Sequence, residues 1–249
     1  YVEEEAPPVA VEDRPDVFLA GRQFPVPTVD FNGMISDLNY MKTEAQDSGG
    51  GIYYGNESCN SKTNEGRHII LNGDKMTVKT VTRYGNSDFG IVNEDCVLND
   101  VPIPEDGIIF VENDIWLEGT INNRRVTIVA ADLLGGEKAR IFLGMNHLLY
   151  TNFDGKDVIG LIAQYDIEVI KSSLYDLTIS AALMAQSGKV GRNNYTPLGC
   201  ESPTCEDHKG TITINGALAT DLRYGFTLTN GTGYAERVLN FDNNLLYFP

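Results

Sequence analysis

The sequence predicts an all-β chain folded as a right-handed parallel β-helix, a solenoid in which each strand pairs with the coils above and below it. Three short apolar runs lie within Gly107–Ala131, at Ile108–Val111, Ile115–Ile121 and Val126–Ala130. Each is rich in β-branched residues and too short for an ordinary helix, which is typical of a strand. The corners between them lack the Asn-Gly and Asp-Gly pairs that favour tight hairpins, so strand, corner and strand indicate one coil.

An antiparallel β-sandwich is the alternative, because it also needs alternating apolar residues and frequent turns. Similar segments favour the solenoid: LTISAALMA at Leu177–Ala185 can be overlaid on TITINGALA at Thr211–Ala219. A spacing of roughly 30–35 residues between similar segments is typical of a β-helix with corner loops of variable length. Small residues inside the runs suit a narrow coil interior: Gly119, Ala181, Gly216 and Ala217.

The first elements are a lead-in and a helix. Residues 1–27 are acidic and contain several prolines, and we predict a single β-helix domain over residues 28–249. A helix is predicted at about residues 30–48, because Phe31, Met34, Leu38 and Met41 recur at helical spacing before three glycines. We expect this helix to cap the first coil, whose edge strand would otherwise pair with another molecule.

The remaining strands follow in order. His68–Leu71 and Met76–Val81 predict a hairpin, since Asn-Gly lies between them, and a polar excursion is expected over residues 84–95. Further strands are predicted at Ala139–Leu143, His147–Tyr150, Asp157–Ala163, Ile167–Ile170, Leu177–Ala185 and Thr211–Ala219, with final strands over residues 222–229 and 245–248.

Composition limits the partners. The 249-residue chain carries a formal net charge of −16 at pH 7, which argues against nucleic acids and anionic membranes because both need basic surfaces. No stretch approaches the ~20 apolar residues of a membrane-spanning helix. The acidic start at Tyr1 lacks a signal-peptide pattern, so we expect a trimmed product. Membrane attachment is expected only through an anchor that is not present in this chain.

Four cysteines allow three pairings, and the sequence alone leaves the choice open. We favour disulfides between Cys59 and Cys96 and between Cys200 and Cys205, because each would fix a polar loop beside a strand. Paired cysteines are typical of oxidising compartments. We therefore expect an extracellular or cell-envelope location.

Metal sites are the next possibility. The potential zinc ligands lie close together: Cys200, Cys205, His208 and either Glu206 or Asp207. Their spacing fits no common zinc signature, and a disulfide loop is preferred. Two acidic turns, Asp154–Asp157 and Asp242–Asn244, could hold calcium, but neither matches an EF-hand loop. We predict no cofactor, with calcium as the alternative.

The sequence contains no catalytic signature such as a G-x-S-x-G elbow. His68 and His147 border apolar runs, where we expect strand-end side chains. A polysaccharide lyase or glycoside hydrolase would need clustered carboxylates near an aromatic platform such as Trp116 or Tyr165. The carboxylates that could serve are Asp132, Asp154, Asp157 and Asp166. The acidic chain opposes a polyanionic substrate, so we predict no enzymatic activity.

Several phrases resemble a known group of proteins: VPTVDFNGMISDLNYMKTEAQ, GGGIYYG, NDIWLEGTINNRRVTIVAA, VIGLIAQYDIEVI, HKGTITINGALAT and YGFTLTNGTGYAERVLNFDNNLLYFP. Together they resemble the PilX-like bacterial envelope proteins found with type IV pilus systems, over most of residues 25–249. The resemblance implies a β-helical passenger and no catalytic residues.

We therefore predict an extracytoplasmic structural or adhesive surface protein, associated with pili and non-catalytic, that presents its corner loops, notably Ser187–Gly210, to partners. The expected partners are cell-surface or pilus proteins and glycans. A polysaccharide-active β-helix enzyme is the alternative.

Overall fold

The computed structural model describes residues 34–47, 50–135, 138–195, 207–228 and 231–246 of the chain. These residues contain one α-helix, a 15-stranded sheet and a short 3-10 helix. In order, the elements are α1 (Met34–Gln46), β1 (Gly51–Tyr54), β2 (Gly66–Gly73), β3 (Lys75–Tyr84), β4 (Ile91–Pro102), β5 (Asp106–Val111), β6 (Asp114–Ile121), β7 (Arg125–Ala130), β8 (Ile141–Leu143), β9 (Leu148–Tyr150), β10 (Val158–Ala163), β11 (Ile167–Val169), β12 (Leu177–Ala185), β13 (Val190–Arg192), β14 (His208–Thr220), β15 (Gly233–Phe241) and the 3-10 helix Asn243–Leu246. The predicted lead-in, residues 1–27, lies outside the described residues.

The sheet is predominantly parallel. Among the described strands, twelve pairs are parallel and two are antiparallel. Along the path β5–β7–β10–β12–β14, register partners are separated by 19, 33, 22 and 35 residues in turn. The expected spacing of roughly 30–35 residues therefore holds for two of these steps. The arrangement is compatible with a β-helix or solenoid and differs from an antiparallel sandwich.

Inward-facing aliphatic side chains form rows across successive strands. Ile109 on β5 is in register with Ile128 on β7, which is in register with Leu161 on β10. The row continues through Leu183 on β12 to Leu218 on β14. Because neighbouring strands lie about 4.8 Å apart, each side chain packs on the next. Burying one such side chain contributes roughly 1.5–3 kcal/mol to stability.

Helix α1 packs on the outer face of the first strands. One buried cluster joins helix and sheet: Leu38, Ala45, Phe110, Val129 and Ala131. Phe110 and Val129 alternate along their strands with the inward-facing Ile109 and Ile128, so they point outward. The helix predicted at residues 30–48 is thus present over 34–46. Its contacts with these outward side chains place it against the side of the sheet, whereas we expected it over the end of the first coil.

The described part of the chain has no helix that is both long and apolar enough to span a membrane.

The predicted hairpin is confirmed. Strands β2 and β3 pair antiparallel, with Asn72 opposite Lys75, and β2 also pairs in parallel with β6. The prediction of a polar loop over residues 84–95 is wrong from Ile91 onward, because β4 begins there and pairs with β3. Most side chains of β4 are exposed or half-buried, so the strand lacks the alternation that would have indicated it.

The predicted Cys59–Cys96 disulfide is present, with Cα atoms 6.1 Å apart. It joins the loop after β1 to strand β4. Cys200 and Cys205 lie outside the described residues, so their pairing stays a prediction.

The last strands differ from the prediction. Residues 222–228 contain isolated bridges at Gly225 and Thr227 but no extended strand, and residues 243–246 form the 3-10 helix. The final strand is instead β15, which pairs in parallel with β14. From Ala235 onward the side chains of β15 are exposed, which removes the apolar alternation on which the prediction depended.

The overlay of the two similar segments is wrong by one residue. Leu177 pairs with Ile212, so LTISAALMA matches ITINGALAT and not TITINGALA. Of the four small residues that were attributed to a narrow interior, the two glycines have another cause. Gly119 and Gly216 have φ of 109° and 156°, and a Cβ there would lie 2.1 and 1.9 Å from carbonyl oxygens of the neighbouring strand. Glycine is needed at these bends because two backbones approach closely.

Candidate functional site

The candidate site lies on the outer face of β6, β8, β11 and β13. One outward row runs across these strands in register: Trp116, Phe142, Glu168 and Gly191. The residues before them face the core: Ile115, Ile141, Ile167 and Val190. The outward row is therefore aromatic on its first two strands and acidic on the third.

The connection between β3 and β4 covers the aromatic end of this row. Phe89 stacks on Phe142 with ring centroids 4.9 Å apart, and the Trp116 indole N–H donates to the Phe89 carbonyl oxygen at 2.7 Å. Trp116 is 0% exposed. It therefore cannot serve as the aromatic platform that was considered for a sugar ring.

A pocket of about 390 Å³ opens beside the covered end. Its lining comes from several separate segments: Phe89, Arg140, Tyr165, Asp166, Glu168, Lys189, Asn193 and Leu222. Its volume falls in the usual range for small-ligand sites. Of the residues singled out in the sequence, the pocket contains Tyr165 and Asp166.

Glu168 is the most unusual side chain in this pocket. It is 1% exposed, and its Oε1 accepts the Tyr195 hydroxyl at 2.7 Å and the Asn193 backbone N–H at 2.6 Å. Its Oε2 is buried without a hydrogen-bond partner among the described residues. Burial raises the pKa of the Glu168 carboxyl to about 7, against the lowering effect of the Tyr195 hydrogen bond and the Lys189 charge. The carboxyl can therefore give up or take up a proton near neutral pH.

Two cations lie near the Tyr165 ring, and a third lines the same pocket. The Arg140 guanidinium lies 5.7 Å from the Phe89 ring centre and 5.6 Å from that of Tyr165, and the Lys138 ammonium lies 5.8 Å from Tyr165. Lys189 lines the same pocket. Within the described residues, none of the three cations forms a salt bridge. The Nε of Arg140 is also buried without a hydrogen-bond partner there.

The four carboxylates considered for catalysis have different surroundings. Asp157 accepts backbone N–H groups of Asn123 and Asn152, and Asp154 accepts the N–H of Lys156 at 3.1 Å. These two carboxylates stabilise corner turns. Asp132 accepts the N–H of Leu134 at 3.0 Å, while Asp166 lies in the pocket and accepts the Lys189 N–H at 2.8 Å.

Two of the three histidines have structural partners. His68 lies between the carboxylates of Glu94 and Glu118, and His147 Nδ1 accepts the Thr178 N–H at 3.0 Å. The Nε2 of His208 is buried without a partner among the described residues.

The metal sites considered from the sequence receive little support from the geometry. For zinc, Asp207 is paired with Arg192, and Cys200, Cys205 and Glu206 lie outside the described residues. In the second calcium turn, Asp242 accepts the backbone N–H and side-chain amide of Asn244 at 2.9 and 3.0 Å. Cys59, Asp95 and Cys96 are close enough to share an ion, but the disulfide occupies both sulfurs.

No protein-family model, curated protein or solved structure matches this chain. The resemblance to PilX-like proteins therefore stays a prediction. The pocket has to be interpreted from its own chemistry.

Glu168 and Arg140 were missed in the sequence. The available signal was a charge inside a short apolar strand, IEVI for Glu168, or directly before one, ARIF for Arg140. A charged residue within such a run faces away from the core by the alternation of a strand.

Proposed function

We propose that the chain is a right-handed parallel β-helix with a helix at its N-terminal end, and that it serves as a non-catalytic structural or adhesive protein outside the cytoplasm. Its partners would be cell-surface or pilus proteins and glycans. The observation that carries this proposal is the continuous row of inward aliphatic side chains through β5, β7, β10, β12 and β14. Parallel connections within one sheet are right-handed in about 98% of cases.

A structural role fits this stack because the rows give a stiff body and leave the outer faces available for contacts. The Cys59–Cys96 disulfide supports an oxidising location, since disulfides are rare in the cytosol. A non-catalytic role is supported by Asp154 and Asp157, whose oxygens accept backbone N–H groups within turns.

The stacking register is tested by a cysteine cross-link. Thr178 and Thr213 are in register on β12 and β14, and both are half-buried. Neighbouring strands about 4.8 Å apart fall within the Cα separations of about 4.4–6.8 Å that a disulfide allows. The T178C/T213C variant should therefore form a bond under mild oxidation. The T178C/T211C control, two residues out of register, should not, and equal cross-linking of both would contradict the fold.

The adhesive role is tested with a glycan array, run with and without calcium and followed by mass analysis of bound sugars. Binding of intact glycans supports adhesion. Cleavage would overturn the non-catalytic proposal. If no glycan binds, adhesion to glycans is rejected and a structural role with protein partners remains.

A polysaccharide-active enzyme is the second candidate, and Glu168 is the observation that favours it. A carboxyl with a pKa of about 7 suits general acid or base catalysis at neutral pH, and Asp166 lies in the same pocket. Under this alternative, E168Q would abolish cleavage of a glycan while leaving its binding intact.

A further inference from the structure

We propose that the pocket between Arg140 and Glu168 binds a small carboxylate ligand, which faces the Arg140 guanidinium and the Lys189 ammonium and accepts a hydrogen bond from the protonated Glu168 carboxyl. This goes beyond the proposed structural or adhesive role, because the pocket would hold the ligand whichever partner the outer surface contacts.

The charge distribution is the first reason. The whole chain carries a net charge of −16, yet Lys138 and Arg140 lie near the Tyr165 ring and Lys189 lines the same pocket. None of the three forms a salt bridge within the described residues. Asp166 and, when it is ionised, Glu168 are the opposing charges in the lining, and the Asp166 Oδ1 accepts the Lys189 backbone N–H. A local excess of cations in an acidic protein attracts an anion.

The arrangement of Arg140 is the second reason. Its guanidinium lies near the rings of both Phe89 and Tyr165, and these two cation–π contacts hold it at the pocket. Its Nε is buried and has no hydrogen-bond partner among the described residues. A carboxylate supplies the two parallel acceptors that a guanidinium binds best, and would satisfy this donor.

Glu168 supplies the complementary donor. Both hydrogen bonds of its carboxyl go to Oε1, so a proton on Oε2, which has no partner among the described residues, is free to be donated. A protonated carboxyl has one O–H donor, whereas an ionised one only accepts. Protonation therefore makes the pocket suited to an anion, and ionisation makes it repulsive.

This requirement makes binding depend on pH. The charged and titratable groups that face Glu168 are Tyr195, Lys189, Asp166 and Arg140, and Arg192 lies 4.7 Å from the Tyr195 ring centre. Burial raises the pKa of Glu168 to about 7, so the protonated fraction falls about tenfold between pH 6 and pH 8. Since apparent affinity scales with the binding-competent fraction, the dissociation constant should rise about tenfold over the same range.

The test is titration calorimetry on the whole chain in a buffer free of carboxylates, with D-glucuronate, acetate and neutral D-glucose as probes. We expect glucuronate to bind at pH 6, to bind about tenfold more weakly at pH 8, and glucose not to bind. Equal binding of acetate would indicate that the carboxylate alone is recognised, whereas binding of glucuronate only would indicate an acidic sugar. Both results support the site.

Two variants and one control complete the experiment. R140Q should remove binding, and E168Q should retain it but lose the pH dependence, because its amide donates at every pH. R124Q, which removes a cation from a different corner of the chain, should bind like the wild type. Absence of glucuronate binding at pH 6, equal binding of glucose, or unchanged binding by a folded R140Q would overturn the proposal. None of these results would alter the cross-linking test of the fold or the glycan-array test of adhesion.

Discussion

Replacing Glu168 by glutamine should change the stability of the protein relative to the wild type, and this change should be more favourable at high pH than at low pH. The Glu168 carboxyl has a pKa near 7 in the folded chain, compared with an ordinary value of 4.5. Between these values the folded state binds more protons than the unfolded state, so stability is highest below pH 4.5 and is lost as the pH rises through 7. Glutamine keeps the shape of the side chain and cannot ionise, which removes this loss.

The size of the effect follows from the two pKa values. One pKa unit corresponds to about 1.4 kcal/mol, and integration over the range from pH 5 to pH 8 gives a loss of about 2.5 kcal/mol in the wild type. For a chain of this length, the melting temperature of the wild type should fall by roughly 5–10 °C relative to that of E168Q between pH 5 and pH 8. Any fixed cost of burying the amide is the same at both pH values and cancels in the comparison.

The assay is urea unfolding of both proteins at pH 5 and pH 8. Glu112 offers a matched control, because it is also 1% exposed but is paired with Lys42. E112Q should destabilise the protein at both pH values, since it leaves the Lys42 ammonium without its carboxylate. If the stability difference between E168Q and the wild type is the same at pH 5 and pH 8, the assignment of a raised pKa to Glu168 is wrong.

Three further predictions concern the framework. Replacing Cys59 and Cys96 together by alanine should lower the free energy of unfolding by about 3–4 kcal/mol, estimated from the loop closed by a disulfide with a sequence separation of 37; denaturant titration with and without reductant measures this. Leu161→Ala removes a fully buried member of the central row and should cost about 2–5 kcal/mol in the same titration, and a loss below 1 kcal/mol would contradict the packing of that row. Gly119→Ala should lower the melting temperature more than Gly73→Ala, because both glycines have positive φ but only at Gly119 would the new Cβ meet a neighbouring backbone.

The strands of the central stretch could be predicted from the sequence because their apolar runs are short, β-branched and separated by polar corners. Ile115–Ile121 falls within β6, and Val126–Ala130 falls within β7. Strand β4 and strand β15 could not be predicted in this way. Their side chains are largely exposed, so their strands depend on backbone pairing with a neighbour that the local sequence does not reveal.

The register between β12 and β14 could not be predicted from local sequence patterns for a related reason. Shifting Leu177 from Ile212 to Thr211 changes which side chains face the core, since the period of a strand is two residues. The two overlays look similar because threonine and isoleucine are both β-branched and occupy both segments. The correct register places buried residues such as Ile179 and Ile214 side by side, and this pairing joins strands that are distant in the sequence.

The pocket depends on strand pairing in the same way, because its lining comes from segments that are distant in the sequence. Phe89 belongs to the β3–β4 connection, Arg140 precedes β8, Glu168 lies in β11, and Lys189 precedes β13. None of these short segments has a binding motif of its own, so the sequence read along the chain shows only scattered charges. The core beneath them is a separate row, in which Ile141, Ile167 and Val190 are in register. Changes in the outward residues can therefore alter the charge and shape of the pocket without disturbing the inward row that stabilises it.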